Sequence, residues 1–460
     1  MGSQEAAPAG AGGLSPQEEK KTLHRAIAGS AIGNAIEWYD YGLYGFLSAQ
    51  IGIHFLPESM PAFLRQMLVF TIFAVPFVVR PLGAGIFGAI GDRVGRQKIL
   101  AFTVILIAGG TFIIGCIPSF STISVVAPII LVLMRVVQGL AAGGEYGGAA
   151  TFMAEYSPDK KRGFYGSFLE FGTLTGFLAG TGVSLLVLTI VGQADFDSWG
   201  WRIPFLLSGP IGLFGLYMRS KLEDTPVFKE LAAEGAQEQQ TAAQFKDLAK
   251  HWKPIVICFG MVLMLNVHNY TLFTYMVSYL GNPKGAGLSE NWALGLTAIM
   301  YAVMMALMAL GGSASDRWGR RPSWFFSGTA LFVLALPAFY LMLNAPIPVK
   351  ILALVGLGIV YVPQLSTISA TFPAMFPTHI RYFAFALTYN VATALAGGPT
   401  PAINTWGTEK IGNYFPAFYL MAASVVGLIA VYFAKETAGA SVRGTDVPDI
   451  EKQKAAAGAE

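Results

Sequence analysis

Gly91-Asp92-Arg93-Val94-Gly95-Arg96-Gln97-Lys98 returns 224 residues later as Ser315-Asp316-Arg317-Trp318-Gly319-Arg320-Arg321-Pro322. Each copy is a short, charged, glycine-containing turn set between two long apolar runs. A weaker echo pairs Tyr156-Ser157-Pro158-Asp159-Lys160-Lys161-Arg162 with Phe376-Pro377-Thr378-His379-Ile380-Arg381 at an offset of 219. Two matches at nearly one offset indicate an internal repeat, a symmetry characteristic of membrane transporters.

Outward from these turns the chain divides into apolar stretches of about 20 residues, the length that crosses a bilayer. They are read near 26–50, 66–90, 99–118, 123–153, 164–191, 202–220, 254–280, 292–314, 323–344, 349–374, 383–407 and 414–434. The longest interior polar stretch falls after the sixth. The expected organisation is a polar leader (1–25), a six-helix bundle (26–220), a linker (221–253), a second six-helix bundle (254–434) and a tail (435–460). The leader has no hydrophobic segment of signal-peptide type. The expected fold class is an all-α membrane protein with twelve transmembrane helices in two pseudo-symmetric bundles.

Composition agrees. Of 460 residues, 54% are apolar and 12% charged, against roughly 25% charged in soluble domains. A net charge of +3 is too small for a polyanionic partner, so nucleic acid is excluded. Cys116 and Cys258 both lie in apolar runs, and the five histidines lack ligand spacing, so neither a disulfide nor a metal is expected. There is no nucleophile–base pair or phosphate loop, so no enzyme and no cofactor. Gly83-Ala84-Gly85-Ile86-Phe87-Gly88 has dinucleotide-motif spacing but sits inside an apolar span with no preceding strand, which makes it helix packing. Gly172, Gly176 and Gly180, spaced by four, form a close-packing face.

With both termini placed inside, 23 of the 30 basic residues fall on the inner side and only Arg65, Lys284, Lys350 and Lys410 on the outer. The positive-inside rule therefore puts both termini in the cytoplasm. The remaining basic residues, Arg80, Arg135 and Arg202, lie in or at the edge of spans.

Ionisable residues inside spans are costly and mark function. Glu37, Asp40, Arg80, Arg135, Glu145 and Glu170 all lie in the first half, so any proton carrier is expected there. Asn34, Glu37, Tyr41 and Tyr44 fall on one helical stripe, with Trp38 and Asp40 on its flanks; Arg135, Gln138 and Glu145 share another. Ten residues separate Arg135 from Glu145 by about 15 Å along the axis, too far to pair, so each needs a partner on another helix. Glu37 or Asp40 is the candidate for Arg135. Desolvation favours the neutral form of an acid and a neighbouring guanidinium the charged form, so an acid between them can load and release a proton. Glu37, Asp40 and Arg135, with Glu145, are the expected coupling group; a structural ion-pair network is the plainer reading. For substrate, Trp38, Tyr39, Tyr41 and Tyr44 with Phe168 and Phe171 can box a quaternary ammonium. Glu170 adds negative charge, and Arg80 can receive a carboxylate. Asn34 and Gln138 line the same stripes, and Asn266, His268, Asn269 and Tyr389 offer contacts from the second half; bundle packing is the alternative for these.

The Asp-Arg-x-Gly-Arg turns, the six-plus-six spans and Arg135-Val136-Val137-Gln138-Gly139 resemble the major facilitator superfamily. Gly33-Asn34-Ala35-Ile36-Glu37-Trp38-Tyr39-Asp40-Tyr41, Arg80-Pro81-Leu82-Gly83 and Gly143-Gly144-Glu145-Tyr146-Gly147-Gly148 are similar to its metabolite:proton symporter family. Glu155-Tyr156-Ser157-Pro158-Asp159, Trp199-Gly200-Trp201-Arg202-Ile203-Pro204-Phe205 and Pro373-Ala374-Met375-Phe376-Pro377-Thr378-His379-Ile380-Arg381-Tyr382 resemble the proline/betaine transporters within it. The resemblance implies a proton-coupled symporter in the bacterial inner membrane, importing a small zwitterionic osmolyte by alternating access and working as a monomer. It also implies that Asp92, Arg93 and Arg96, with Asp316, Arg317 and Arg320, hold the two halves together and gate them. The span-five Gly-Pro element typical of the superfamily's antiporters is absent. Residues 435–460 lack heptads, so osmosensing through a long coiled coil, found in some of these transporters, is not expected. An organic-acid symporter (shikimate, 2-oxoglutarate or citrate) with Arg80 and Arg135 on the anion is the alternative, and a sensor with a transporter fold the more distant one.

Overall fold

The protein, a computed structural model, is described over residues 16–94, 96–143, 145–220, 250–378, 380–442 and 447–450. Among these described residues twelve helical rods follow one another. They are α1 (Pro16–Phe46, continued by Ser48–Phe55), α2 (Ala62–Val94), α3 (Arg96–Cys116), α4 (Val126–Ala142 with Glu145–Tyr156), α5 (Arg162–Val191) and α6 (Arg202–Leu206 with Ser208–Ser220). After them come α7 (Trp252–Asn269, the π-helical Tyr270–Tyr275, then Met276–Gly281), α8 (Glu290–Trp318), α9 (Arg320–Asn344) and α10 (Ile347–Leu365 with Ile368–Thr371). The last two are α11 (Arg381–Ala392, the π-helical Thr393–Gly397, then Thr400–Lys410) and α12 (Phe415–Phe433).

The repeat in the sequence is a repeat in packing. In the first half α1 packs on α5, α2 on α4 and α3 on α6; in the second, α7 packs on α11, α8 on α10 and α9 on α12. The seam between the halves repeats as well, with α5 against α8 and α2 against α11. Large apolar side chains such as Leu82, Ile190 and Leu352 face outward, while Glu37, Asp40, Arg80 and Arg135 are buried. That is the inverse of a soluble protein and suits a lipid exterior.

Between membrane helices there is little hydrophobic driving force, so close contact depends on small residues. A methyl group at Gly172 or Gly176 would collide with the carbonyls of Ala31 and Ala35 on α1. Their spacing therefore sets how near α1 and α5 approach.

Among the described residues eight helices are long and apolar enough to cross a membrane by themselves. The apolar parts of α3 and α6 are shorter, Ala101–Cys116 and Arg202–Met218. α1 and α11 carry buried polar residues, Asn34, Glu37 and Asp40 on one and Asn390, Thr393 and Asn404 on the other. Polar groups turned to the interior are what a helix lining the centre of a transporter requires.

Two features add to the sequence reading. α1 already includes Pro16, inside the stretch read as leader. The start of the tail is packed, with Thr437, Ala440 and Val442 all buried.

Candidate functional site

α1 runs through the middle of the first bundle and turns its acids toward different neighbours. Asp40 lies deepest in a closed network. It accepts from Arg135 Nη1 of α4 at 3.0 Å, from Thr111 Oγ1 of α3 at 2.6 Å and from Gln138 Nε2 of α4 at 2.8 Å. Arg135 Nη1 also donates to Gln138 Oε1 at 2.9 Å. The Arg135 guanidinium lies 4.5 Å from the Tyr44 ring and 5.3 Å from Tyr41, which cover it although its Nε and Nη2 have no acceptor among the described residues. Of the two candidates for pairing with Arg135, the structure selects Asp40.

Glu37, one turn earlier, forms an ion pair with Arg80 of α2. That guanidinium is 5.2 Å from both the Tyr41 and Phe77 rings. Its Nε and the Tyr41 hydroxyl have no partner among the described residues. Asn34 is committed to α5, donating to Leu169 O at 2.8 Å and Thr173 Oγ1 at 2.6 Å while accepting from Trp38 Nε1 at 3.0 Å. It fastens two helices of one bundle.

The aromatic cluster differs in membership from the sequence expectation. Trp38 contacts Tyr41, Phe177 and, across the seam, Tyr270 of α7. Tyr270 also meets Phe73 and Phe77 of α2. Phe168 and Phe171 instead contact one another, and Phe168 also meets Phe164. Glu170, Thr173 and Phe177, at i, i+3 and i+7, share one face of α5, whereas Phe168, Phe171 and Thr175 share another, and Thr175 contacts Met305 of α8. Tyr39 likewise turns aside, donating to Pro204 O on α6.

Glu170 accepts from Tyr146 Oη at 2.5 Å and Thr173 Oγ1 at 2.9 Å. The Tyr146 ring stacks on Tyr389 of α11, centroids 4.8 Å apart and planes 20° from parallel, so the stack crosses the seam. Tyr389 has both Arg80 and Glu170 within electrostatic reach. Beside it Asn390 donates to Gly143 O of α4. Asn266 donates to Val262 O and to Thr393 of α11, and the buried Asn269 Oδ1 has no partner among the described residues. His268 is held inside the second bundle by Gln364 and Ser424.

The basic-loop end is clasped shut. Asp316 accepts from the backbone N–H groups of Gly163 and Phe164, both at 2.8 Å. Arg320 donates to Asp316 at 2.5 Å and to Ser315 Oγ. Arg317 is exposed and stands outside this clasp. Glu155 of α4 and Arg381 of α11 pair across the seam at 2.8 Å. The tail adds a strap: Arg162 donates to Ala440 O at 2.7 Å and Arg381 to Val442 O at 2.5 Å. Glu436 accepts from the N–H groups of Arg320 and Arg321 at the start of α9. At the opposite end Gln50 and Gln193 of the first half donate to Glu290 of the second at 2.9 and 2.8 Å. The two halves therefore meet through hydrogen bonds at both ends. The side chains of Asp92, Arg93, Arg96 and Glu145 lie outside those described, so the first-half turn and the Glu145 partner are not part of this account.

Thr111, Tyr146, Thr173, Phe177 and Tyr270 are site residues that the sequence reading does not single out. Tyr146 lies in a quoted motif and Thr173 three residues from Glu170; Thr111, Phe177 and Tyr270 carry no sequence signal beyond being polar or aromatic inside a span.

The model of the sugar (and other) transporter family matches residues 26–251 and again 227–447, one stretch per half. The chain belongs to this family of the major facilitator superfamily. It is 42% identical over 430 residues to the glycine betaine/proline/ectoine/pipecolic acid transporter of Dickeya dadantii, covering 92% of this chain and 85% of that one. It is 43% identical over 442 residues to the proline/betaine transporter of Escherichia coli K12, with 94% and 88% covered. In fold it is similar to the proton:xylose symporter XylE bound to 6-bromo-6-deoxy-D-glucose, at a TM-score of 0.74, 18% identity and 95% and 99% coverage. A partially occluded, inward-open form of the xylose transporter from E. coli matches at 0.69, with 17% identity and 92% and 100% coverage. The chain is a multi-pass membrane transporter rather than an enzyme.

Proposed function

We propose that this transporter is a proton-coupled symporter that imports a small zwitterionic osmolyte of the proline or glycine betaine type by alternating access. One observation carries the choice of substrate. Among the described side chains of the central region, three acids (Glu37, Asp40, Glu170) face two arginines (Arg80, Arg135). The two ion pairs use one acid each, and the third acid, Glu170, is met among the described residues by hydroxyls beneath a tyrosine stack. An extra carboxylate next to aromatic faces suits a cationic head group and opposes a dianion, which argues against the organic-acid reading. Arg80 then receives the substrate carboxylate, and the names of the Dickeya and E. coli relatives agree with this class.

Proton coupling belongs to the acids of α1, which are buried, paired and close to the seam. The basic-loop end faces the cytoplasm, following the charge asymmetry of the loops, and the protein resides in the inner membrane as a working monomer. The asymmetric unit of function is the pair of bundles, each closing one end in turn.

Uptake into proteoliposomes with an imposed pH gradient tests the reading. Proline and glycine betaine should accumulate saturably and collapse with a protonophore. Saturable uptake of shikimate or 2-oxoglutarate alone would overturn the substrate class, and betaine uptake indifferent to the protonophore would overturn the coupling.

A further inference from the structure

The two ion pairs on α1 are three residues apart and built differently. Asp40 is engaged by three side chains from α3 and α4, all within its own bundle. Glu37–Arg80 faces the seam. The rings flanking Arg80, Tyr41 and Phe77, contact Trp38 and Tyr270, and Phe77 meets Tyr270 of the other bundle at 5.3 Å. Two donors beside this pair, Arg80 Nε and the Tyr41 hydroxyl, are buried and without acceptors among the described residues. Buried donors left unmet are costly, and a carboxylate supplies the acceptors that would satisfy them.

Resting on the zwitterion reading above, we infer that the substrate carboxylate displaces Glu37 from Arg80 and that the displaced Glu37 takes up the transported proton. A guanidinium fork accommodates one carboxylate bidentately. Two carboxylates against one arginine in a site closed to water leave one negative charge uncompensated. A proton relieves that charge, and chemistry decides where it goes. A carboxylate next to a quaternary or protonated nitrogen is a much weaker base than a glutamate side chain, so the proton settles on Glu37. It comes from water on the open outer side. Inside, when cargo leaves, Glu37 returns it to water and pairs again with Arg80. Among the described residues, Tyr41 on α1 itself, Arg80 of α2, Tyr270 of α7 and Tyr389 of α11 lie within electrostatic reach of Glu37, and Asp40 and Arg135 reach the same Tyr41. Coupling thus becomes a property of the cargo's carboxylate, at one proton per carboxylate.

The experiment uses the full-length protein, purified in detergent and weakly buffered with a pH-indicator dye, together with counterflow in proteoliposomes. Glycine betaine should draw about one proton from solution per molecule bound, whereas choline, which has the same ammonium and no carboxylate, should draw none. In Glu37→Gln, any betaine that binds should draw no proton, and accumulation on a pH gradient should be lost. Equal proton uptake with choline and betaine in the unmodified protein would overturn the inference without any variant. So would proton uptake on betaine binding by Glu37→Gln. Failure of the unmodified protein to exchange betaine or proline would instead defeat the substrate reading. The dye measurement with shikimate would then still decide the exchange, because any carboxylate on Arg80 should release Glu37 to take a proton.

Discussion

Asp316, near the end of α8, caps Gly163 and its neighbour Phe164 in the first turn of α5, although the two helices belong to different bundles. The residue at the cap position of α5 itself, Lys161, makes no side-chain capping bond. The exposed N–H groups of α5 are therefore completed only while the basic end is shut, and they favour a carboxylate by charge as well as by hydrogen bonding. At the same place a methyl on Gly163 would collide with the Gly312 carbonyl and the Arg320 guanidinium, so the two backbones are in contact when the cap forms.

Asp316→Ala should release this closure. A lost cap is worth about 1–2 kcal/mol, and that shifts a two-state equilibrium roughly five- to thirty-fold. A cysteine placed at Ser369, which is buried and donates to Gly166 O across the seam, reports the opening in a background lacking Cys116 and Cys258. Its alkylation rate should rise by that factor in Asp316→Ala, and an unchanged rate would mean that the cap does not hold the end closed.

The tail should matter to stability as well as to gating. Glu436 caps α9, while Arg162 and Arg381, both buried, use carbonyls of Ala440 and Val442. Ending the chain after Lys435 strips acceptors from two buried guanidinium groups and from a helix start, at about 1–3 kcal/mol for each unmet group. The thermal midpoint in detergent should fall by several degrees, with about 2–4 °C lost per kcal/mol. A truncated protein with the full midpoint would show the strap to be ornamental.

What the sequence made legible follows from periodicity and cost. Twelve spans, two halves and the buried acids of α1 were readable because bilayer length, loop charge and the expense of intramembrane charge leave strong marks. The pairing of Arg135 with Asp40 rather than Glu37 was not readable: the two acids are one turn apart, and only the positions of α3 and α4 decide between them. That Phe177 and not Phe171 meets Trp38 was hidden in the same way, by a rotation of about 100° per residue around α5. Tyr270 was hidden for another reason. It sits in a π-helical turn, where the wider repeat shifts which side chain meets the seam, and a 3.6-residue count cannot register that. The strap was missed because small residues such as Ala440 act there through backbone carbonyls, which every residue type carries.

Asp40→Asn should be damaging to folding. Arg135 is fully buried and Asp40 is its only acidic partner among the described residues; removing one member of a buried pair costs about 3–5 kcal/mol because it leaves an uncompensated charge. Asp40→Asn should solubilise poorly and elute as aggregate. Adding Arg135→Met to it removes the stranded charge and should restore a monodisperse peak and much of the thermal midpoint, without restoring accumulation. A single variant as stable as the parent would mean that Asp40 is not a structural partner of Arg135.

Glu170 and the Tyr146–Tyr389 stack should govern affinity for the cationic end of the cargo. A desolvated ammonium over an aromatic face is worth about 2 kcal/mol, so Tyr389→Ala should raise the KM for glycine betaine roughly thirty-fold. Tyr389→Phe keeps the ring that faces Tyr146 at 4.8 Å and should stay within a few-fold of the parent. Glu170→Gln removes the charge but leaves an oxygen to accept from one of the Tyr146 and Thr173 hydroxyls and an amide group that can donate to the other, so folding should survive while betaine affinity falls. A carboxylate lacking any ammonium supplies the control. Its inhibition of uptake should be unchanged or strengthened by Glu170→Gln, since the repelling charge is gone. Measured inhibition constants for such an acid and for betaine should therefore move in opposite directions, and parallel weakening of both would mean that Glu170 holds the helices in place and does not face the ammonium.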